Sequence, residues 1–222
     1  MFYRVLISND ALGSMALAAI EAYCRGDGRP TGRKGLETLG YVWGHKKISD
    51  DSIIYNVSKI SVSLSATRHR DWVRADPEAG DLKNSFMERW SPELSLLGDF
   101  HTHPYASIDE VKEVSGFEFS DADFKSLESD DWLWEKTGNA PLMLAITICR
   151  VQRVHLSQGD QVRNNVGSFS VGEFRFWVNA AVGSLDGEER TCTGNKRSPV
   201  FLDLHSRFFN LASDRIERRL EE

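Results

Sequence analysis

Two histidines stand one residue apart in the segment Gly98-Asp99-Phe100-His101-Thr102-His103-Pro104. Residues two apart on a β-strand point to the same face, so His101 and His103 can offer their imidazoles side by side to one metal ion. Zinc suits such a pair, because it takes imidazole nitrogen and its catalytic sites keep three protein ligands with a fourth position for water. Pro104 is expected to stop the strand directly after the second histidine, which puts the pair at a sheet edge or a mouth rather than in mid-sheet. His-x-His also arises by chance as two surface histidines, so the pair needs company before it means chemistry.

A carboxylate ligand is on offer in Ser120-Asp121-Ala122-Asp123. Ser-x-x-Asp at a helix start is close to a capping box, which needs no metal. The two roles are compatible, since a carboxylate in the first helical turn can also reach outward to a cation. Upstream, Glu37 begins the apolar run Thr38-Leu39-Gly40-Tyr41-Val42-Trp43-Gly44. An unpartnered buried carboxylate is costly. Glu37 is therefore either exposed at a strand edge or a general base beside a metal-bound water.

The elements that must position these groups follow from hydrophobic spacing. Phe2 to Ile7 reads as a strand, and Ser8-Asn9-Asp10 offers caps for a helix whose stripe is Leu12, Met15, Ala16, Ala19, Ile20 and Tyr23. A Gly/Arg/Lys-rich loop covers Gly26 to Gly35. Glu37 to Trp43 reads as a strand stopped by Gly44 and the turn His45-Lys46-Lys47. A second strand from Ile53, alternating at Ile60, Val62 and Leu64, completes an antiparallel hairpin with it. A helix over Gly80 to Trp90 sets Leu82, Phe86 and Trp90 on one side, and Pro92 follows it. Leu96 to His103 is the histidine strand, and residues 105 to 119 have no firm period. Ser120 to Leu127 starts a helix. Pro141 to Val151 is the most apolar stretch and reads as a central buried strand. Phe169 to Val178 reads as a further strand and Ser206 to Leu220 as a helix.

The chain has 222 residues and a mass of 25.1 kDa, with 41% hydrophobic and 27% charged residues, enough to bury a core. A net charge of −6 argues against a general nucleic-acid binder, which needs a basic face. No apolar run approaches a membrane span of roughly 18 to 20 residues, and Met1 to Ile7 is too short for a signal peptide. Cys24, Cys149 and Cys192 are widely spaced and odd in number. They suit a reducing compartment and offer no disulfide framework. The expectation is a cytoplasmic α/β or α+β protein.

Taken together, Glu37 before Gly40 and Gly44, then His101, His103 and Pro104, then Ser120 and Asp123 resemble the JAMM (MPN-plus) zinc metalloprotease family. The likeness covers roughly residues 1 to 155 and is nearest to the bacterial, deubiquitinase-like isopeptidases. It implies a cytidine-deaminase-like fold, a mixed β-sheet flanked by helices. On that basis residues 1–158 form the metalloprotease domain, and residues 159–222 form a strand and helix extension packed on it. The resemblance implies one Zn2+ per chain held by His101, His103 and Asp123, with Glu37 moving the proton and Ser120 steadying the oxyanion. It further implies hydrolysis of a peptide or isopeptide bond at the C-terminal tail of ubiquitin or a ubiquitin-like protein. One departure stands out: the 16 residues from Pro104 to Phe119 separate His103 from Ser120, about twice the usual distance. The usual spacing would put Val111 and Val114 at the Ser and Asp positions. Asp109, Glu118 and Asp121 are accordingly rivals to Asp123.

Two other functions fit the same residues: a catalytically inactive scaffold of this fold, and a zinc amidohydrolase of small peptides. The segment 105 to 119 reads as either a substrate-selecting lid or an acidic surface loop. His45, His69, His155 and His205 have no partners at ligand spacing and read as surface or structural. Thr67-Arg68-His69-Arg70 reads as a solvated turn, Trp132 and Trp134 as a strand or loop, and Cys149 as a buried hydrophobe. Gly40 and Gly44 suggest close backbone packing.

Overall fold

The computed structural model describes residues 1–26, 34–152, 157–194 and 199–205. In chain order the elements begin with β1 (Phe2–Ser8), α1 (Asn9–Arg25), β2 (Leu39–Ile48) and β3 (Ser52–Val62). Two short strands, β4 (Thr67–Arg68) and β5 (Val73–Arg74), precede α2 (Pro77–Trp90) and β6 (Ser95–Tyr105). Three helices follow, α3 (Ile108–Glu113), α4 (Asp121–Ser129) and α5 (Asp131–Lys136), then β7 (Leu142–Arg150). The last strands are β8 (Ser157–Arg163), β9 (Val166–Val171), β10 (Phe174–Asp186), β11 (Glu189–Thr193) and β12 (Val200–His205).

Ten strands form one mixed sheet in the order β12-β1-β3-β2-β6-β7-β10-β9-β8, with β11 on β10. β1 runs parallel to β3 and β12, and β6 runs parallel to β7, while the other pairs are antiparallel. The sheet curls, so that β12 at one end meets the β8–β9 turn near the other: Leu202 N donates to Asn164 O at 2.7 Å. Inside the curl lies α1, started by the Ser8 side chain, which accepts from Ala11 N. Leu12, Met15 and Ala19 of its predicted stripe are buried, and Ala16, Ile20 and Tyr23 are partly so. They pack on Val5, Ile7, Phe100, Leu144, Ile146, Phe176 and Val178, one continuous apolar core. β7 is the buried central strand its composition predicts, with Arg150 alone exposed.

The opposite face carries two smaller apolar clusters. One gathers Tyr41, Trp43, Met87, Leu127, Leu133 and Met143. The other joins Val111, Cys149, Val166 and Trp177. The helices α2 to α5 cover this side.

Several boundaries differ from the sequence reading. β2 does not stop at Gly44 but runs to Ile48, because the glycine marks a bulge rather than a turn. A Cβ at Gly44 would meet Asn56 O at 1.9 Å, and one at Gly40 would meet Ser61 O at 2.4 Å, so close backbone approach is what both supply. β6 likewise runs through Pro104 to Tyr105. The stretch Phe169 to Val178 is two strands joined by a turn at Gly172, where φ is 60°. Trp132 and Trp134 lie on α5. The α2 residues Leu82, Phe86 and Trp90 are 73%, 58% and 67% exposed, and the helix docks instead through Gly80, Asn84 and Met87. Helical period alone does not say which stripe faces in, and here the small residues do. Leu64 lies past β3 and is exposed.

Residues 159 to 163 belong to β8, and β8 to β12 are strands of the same sheet as the elements before them. The predicted Ser206 to Leu220 helix, His155 and most of the Gly26 to Gly35 loop lie outside the described residues. Among the described residues no helix is long and apolar enough to cross a membrane.

Candidate metal centre

The site forms where β2 leaves β6. The β2–β6 ladder pairs Gly40 with Phe100 and Leu39 with His101. One further link fastens the end: Thr102 N donates to Thr38 O at 3.0 Å, and Thr38 N donates to Thr102 Oγ1 at 2.9 Å. Beyond it β6 keeps β7 on one side, pairing His103 with Thr147 and Pro104 with Ile148, while β2 has departed on the other. Pro104 is tolerated inside the strand for that reason, since no β2 carbonyl awaits its missing N–H. The histidines thus stand at a mouth in mid-sheet, not at a sheet edge.

Directly opposed residues in a ladder share a face. Leu39 opposes His101, so Glu37 projects to the side that carries His101 and His103. Its backbone is held from outside the sheet by Glu37 N donating to His69 O at 2.7 Å. α4 delivers Asp123 to the same place. Ser120 caps that helix, accepting from Asp123 N at 3.2 Å, while Asp123 Oδ2 accepts from Ser120 N at 2.7 Å and Ser120 Oγ at 2.9 Å. The capping box and the ligand geometry are therefore one arrangement: the cap fixes the carboxylate, whose oxygens turn to the histidines.

His101 Nε2 and His103 Nε2 are 2.9 Å apart, His101 Nε2 lies 3.4 Å from Asp123 Oδ1, and His103 Nε2 lies 3.7 Å from Asp123 Oδ2. A tetrahedral ion with bonds of about 2.0–2.1 Å sets its ligand atoms about 3.4 Å apart. Two buried imidazoles and one half-buried carboxylate, converging at these spacings, could hold a metal ion. Among the rivals for the carboxylate, Glu118 is committed to Arg163, and Asp109 and Asp121 are exposed.

The electrostatics divide the pair. Burial opposes charge on His101, but the hydrogen bond and charge of Asp123 outweigh it and hold this imidazole above its ordinary value. Burial and the charge of His101 push His103 down to about 4. Burial alone would raise Asp123, yet the hydrogen bond from His101 and the charges of both rings hold it far below the usual carboxylate range. Glu37, 9% exposed, is pushed up to about 8 by burial, against the pull of His101 and with the repulsion of Asp123 and Asp71.

The segment 105 to 119 forms one wall of the site, with Asp109 and Glu113 on its exposed side. Val111 of α3 is fully buried, Asn179 Nδ2 donates to Phe117 O at 2.9 Å, and Glu118 pairs with Arg163. Ser115 takes φ 51°, and the turn brings the Gly116 carbonyl to 3.4 Å from His103 Nδ1. Thr147 Oγ1 donates to the same carbonyl at 2.9 Å. A Cβ at Gly116 would lie 2.4 Å from the Tyr105 ring, so a larger residue there would push that ring aside. A proton on His103 Nδ1 leaves the Nε2 lone pair free for a metal, the usual outer-shell device. A cleft of about 360 Å3 opens beside His103, bordered by Glu37, Asp123, Arg70, Tyr105 and Glu110.

Four supporting features escaped the sequence reading: Gly116, Thr147, the Thr38–Thr102 link and Asp99. Asp99 had a visible signal, because Asp99, His101 and His103 alternate on one strand face. Of the remaining histidines, His45 is exposed, His69 stacks on Trp72 at 5.4 Å and His205 lies 3.6 Å from Asp203. Cys24, Cys149 and Cys192 are free thiols. No family model matches the chain, and no curated protein matches it.

Proposed function

We propose that this protein is a JAMM-type zinc metallopeptidase that hydrolyses a peptide or isopeptide bond at the C-terminal tail of a ubiquitin-like protein in the cytoplasm. In this reading the sheet curled around α1 is the cytidine-deaminase-like arrangement, and one zinc per chain belongs at His101, His103 and Asp123. The observation that carries it is Glu37: a buried carboxyl on the same sheet face as two converging histidines, beside a three-ligand cluster. A structural metal needs no such neighbour, whereas hydrolysis needs a group that accepts and returns a proton.

When bound, zinc lowers the pKa of a coordinated water toward 7 and polarises a carbonyl oxygen. Glu37 accepts the proton of the attacking water on its carboxylate and passes it to the leaving nitrogen, so the amine departs neutral. Residues of the segment 105 to 119 and of the 69 to 71 turn bound the cleft in which the scissile segment lies. Ser120 Oγ donates to Asp123, which makes orienting that ligand its first role; steadying an oxyanion requires the hydroxyl to rotate away from it. His103 is oriented through Gly116 and Thr147.

The test is cleavage of ubiquitin-like proteins carrying a C-terminal peptide extension or an isopeptide-linked lysine, by zinc-loaded protein. We expect turnover that falls at least about 100-fold in Glu37→Gln, in line with the loss of general acid–base catalysis. Failure to cleave any such tail, or undiminished turnover in Glu37→Gln, would overturn the proposal.

A further inference from the structure

On the His101 side of Glu37 and Asp123 lies a second cavity, of about 160 Å3. It adjoins the cleft beside His103, the two sharing Glu37, Asp71, Ser120 and Asp123. Leu39, Leu127 and Met143, all buried, give it apolar walls, and Trp72 stands at its rim. Three carboxylates that the proposed hydrolysis does not use, Asp71, Asp99 and Asp130, also line it; Asp71 is exposed and lies 3.6 Å from His69. Asp99 Oδ1 is buried and has no hydrogen-bond partner. Asp130 Oδ1 accepts from Leu133 N at 2.9 Å as the cap of α5. The basic group that Asp99 does feel is His101, whose Nε2 is directed to Asp123.

An orphaned carboxyl oxygen in such a place is expensive. A ligand that removed the cost would bring a cation to the bottom and apolar surface to the walls. A lysine side chain has that form, with methylenes that pack on apolar surface and a charged head with freely turning donors. Arginine fits less well, because its planar fork favours two oxygens of one carboxylate, whereas the acceptors here come from two residues.

We propose that this cavity is a subsite for a lysine side chain of the chain held at the metal cluster, its ammonium donating to Asp99 with Asp130 adding charge, and its methylenes lying along Leu39, Leu127 and Met143. The inference deepens the peptidase reading and rests on it for the identity of the bound chain. It makes Asp99 and Asp130 specificity-determining residues.

The experiment uses capped peptides of alanine and glycine with one lysine at successive positions, each matched by a norleucine counterpart. Binding is read by fluorescence polarisation on zinc-loaded Glu37→Gln protein, and cleavage on the wild-type protein. At one position lysine should bind at least tenfold tighter than norleucine, and the ratio should collapse in Asp99→Asn. It should shrink in Asp130→Asn too, where the helix cap survives because asparagine caps equally well. Equal affinities at every position, or a preference that persists in Asp99→Asn, would overturn the subsite. So would a second zinc equivalent that is lost in Asp99→Asn, which would make the cavity a metal site. Lysine-selective binding without wild-type cleavage supports the subsite and counts against the peptidase. Cleavage without lysine preference does the reverse.

Discussion

The two faces of the sheet are built on different terms. On the concave face Phe100, Leu144, Ile146 and Val178 meet α1 in one unbroken apolar core. On the other face the apolar contacts split into two clusters, and the seam between them holds Glu37, Asp99, His101 and His103. β6 belongs to both: Phe100 points into the core and His101, its neighbour, into the seam. Fold stability and site chemistry are therefore separable by which way a side chain of one strand points. A group in the seam raises the cost of folding unless a ligand or a hydrogen bond satisfies it.

The largest effect expected of a single change on the concave side is from Phe100→Ala. Removing that fully buried ring should cost about 3–5 kcal/mol of unfolding free energy in denaturant titrations. A loss below about 1 kcal/mol would mean that the two faces share the core more evenly than their contacts suggest.

The seam should behave in the opposite sense. In metal-free protein, burial pushes the Glu37 carboxyl up to about 8, from the ordinary 4.5 of an exposed glutamate. A group raised in this way contributes fully below its unfolded pKa, and that contribution is lost as pH climbs through the folded value. The metal-free wild type should thus lose stability between about pH 4.5 and 8, and Glu37→Gln should not lose that share. By pH 9 the variant should be the more stable by roughly 2–4 kcal/mol, the gap closing at pH 4. Parallel stability curves for the two proteins would remove burial as the cause of the shift. The smallest effect is reserved for Thr147→Val, which leaves the shape of β7 but takes the hydroxyl from the Gly116 carbonyl. Zinc affinity should drop by about tenfold or less, measured by competition with a chelator, with unfolding unchanged.

Much of the concave face could be read from the chain. The α1 stripe, the Ser8 cap and the alternating apolar residues of β7 each specify a local structure whose buried side follows from period alone. The His101, His103 and Asp123 group was legible in part: strand alternation sets His101 beside His103, whereas the choice of Asp123 over Asp109, Glu118 and Asp121 came from the resemblance and not from spacing. What period cannot give is the partner across space. Gly116 reaches His103 from 13 residues away only through the left-handed turn at Ser115. The exposed Leu82, Phe86 and Trp90 stripe shows the same limit, since α2 docks through Gly80, Asn84 and Met87, a face with a single large apolar side chain. Pro104 misled because its effect depends on whether a neighbouring strand is still present on that side.

His101, His103 and Asp123 are proposed to hold one metal ion. Elemental analysis of the purified protein, reconstituted with zinc, beside His101→Ala and Asp123→Ala, tests it most directly. The account predicts about one zinc per wild-type chain and none retained by either variant after dialysis. Absence of zinc from the reconstituted wild type, or its full retention in Asp123→Ala, would contradict it.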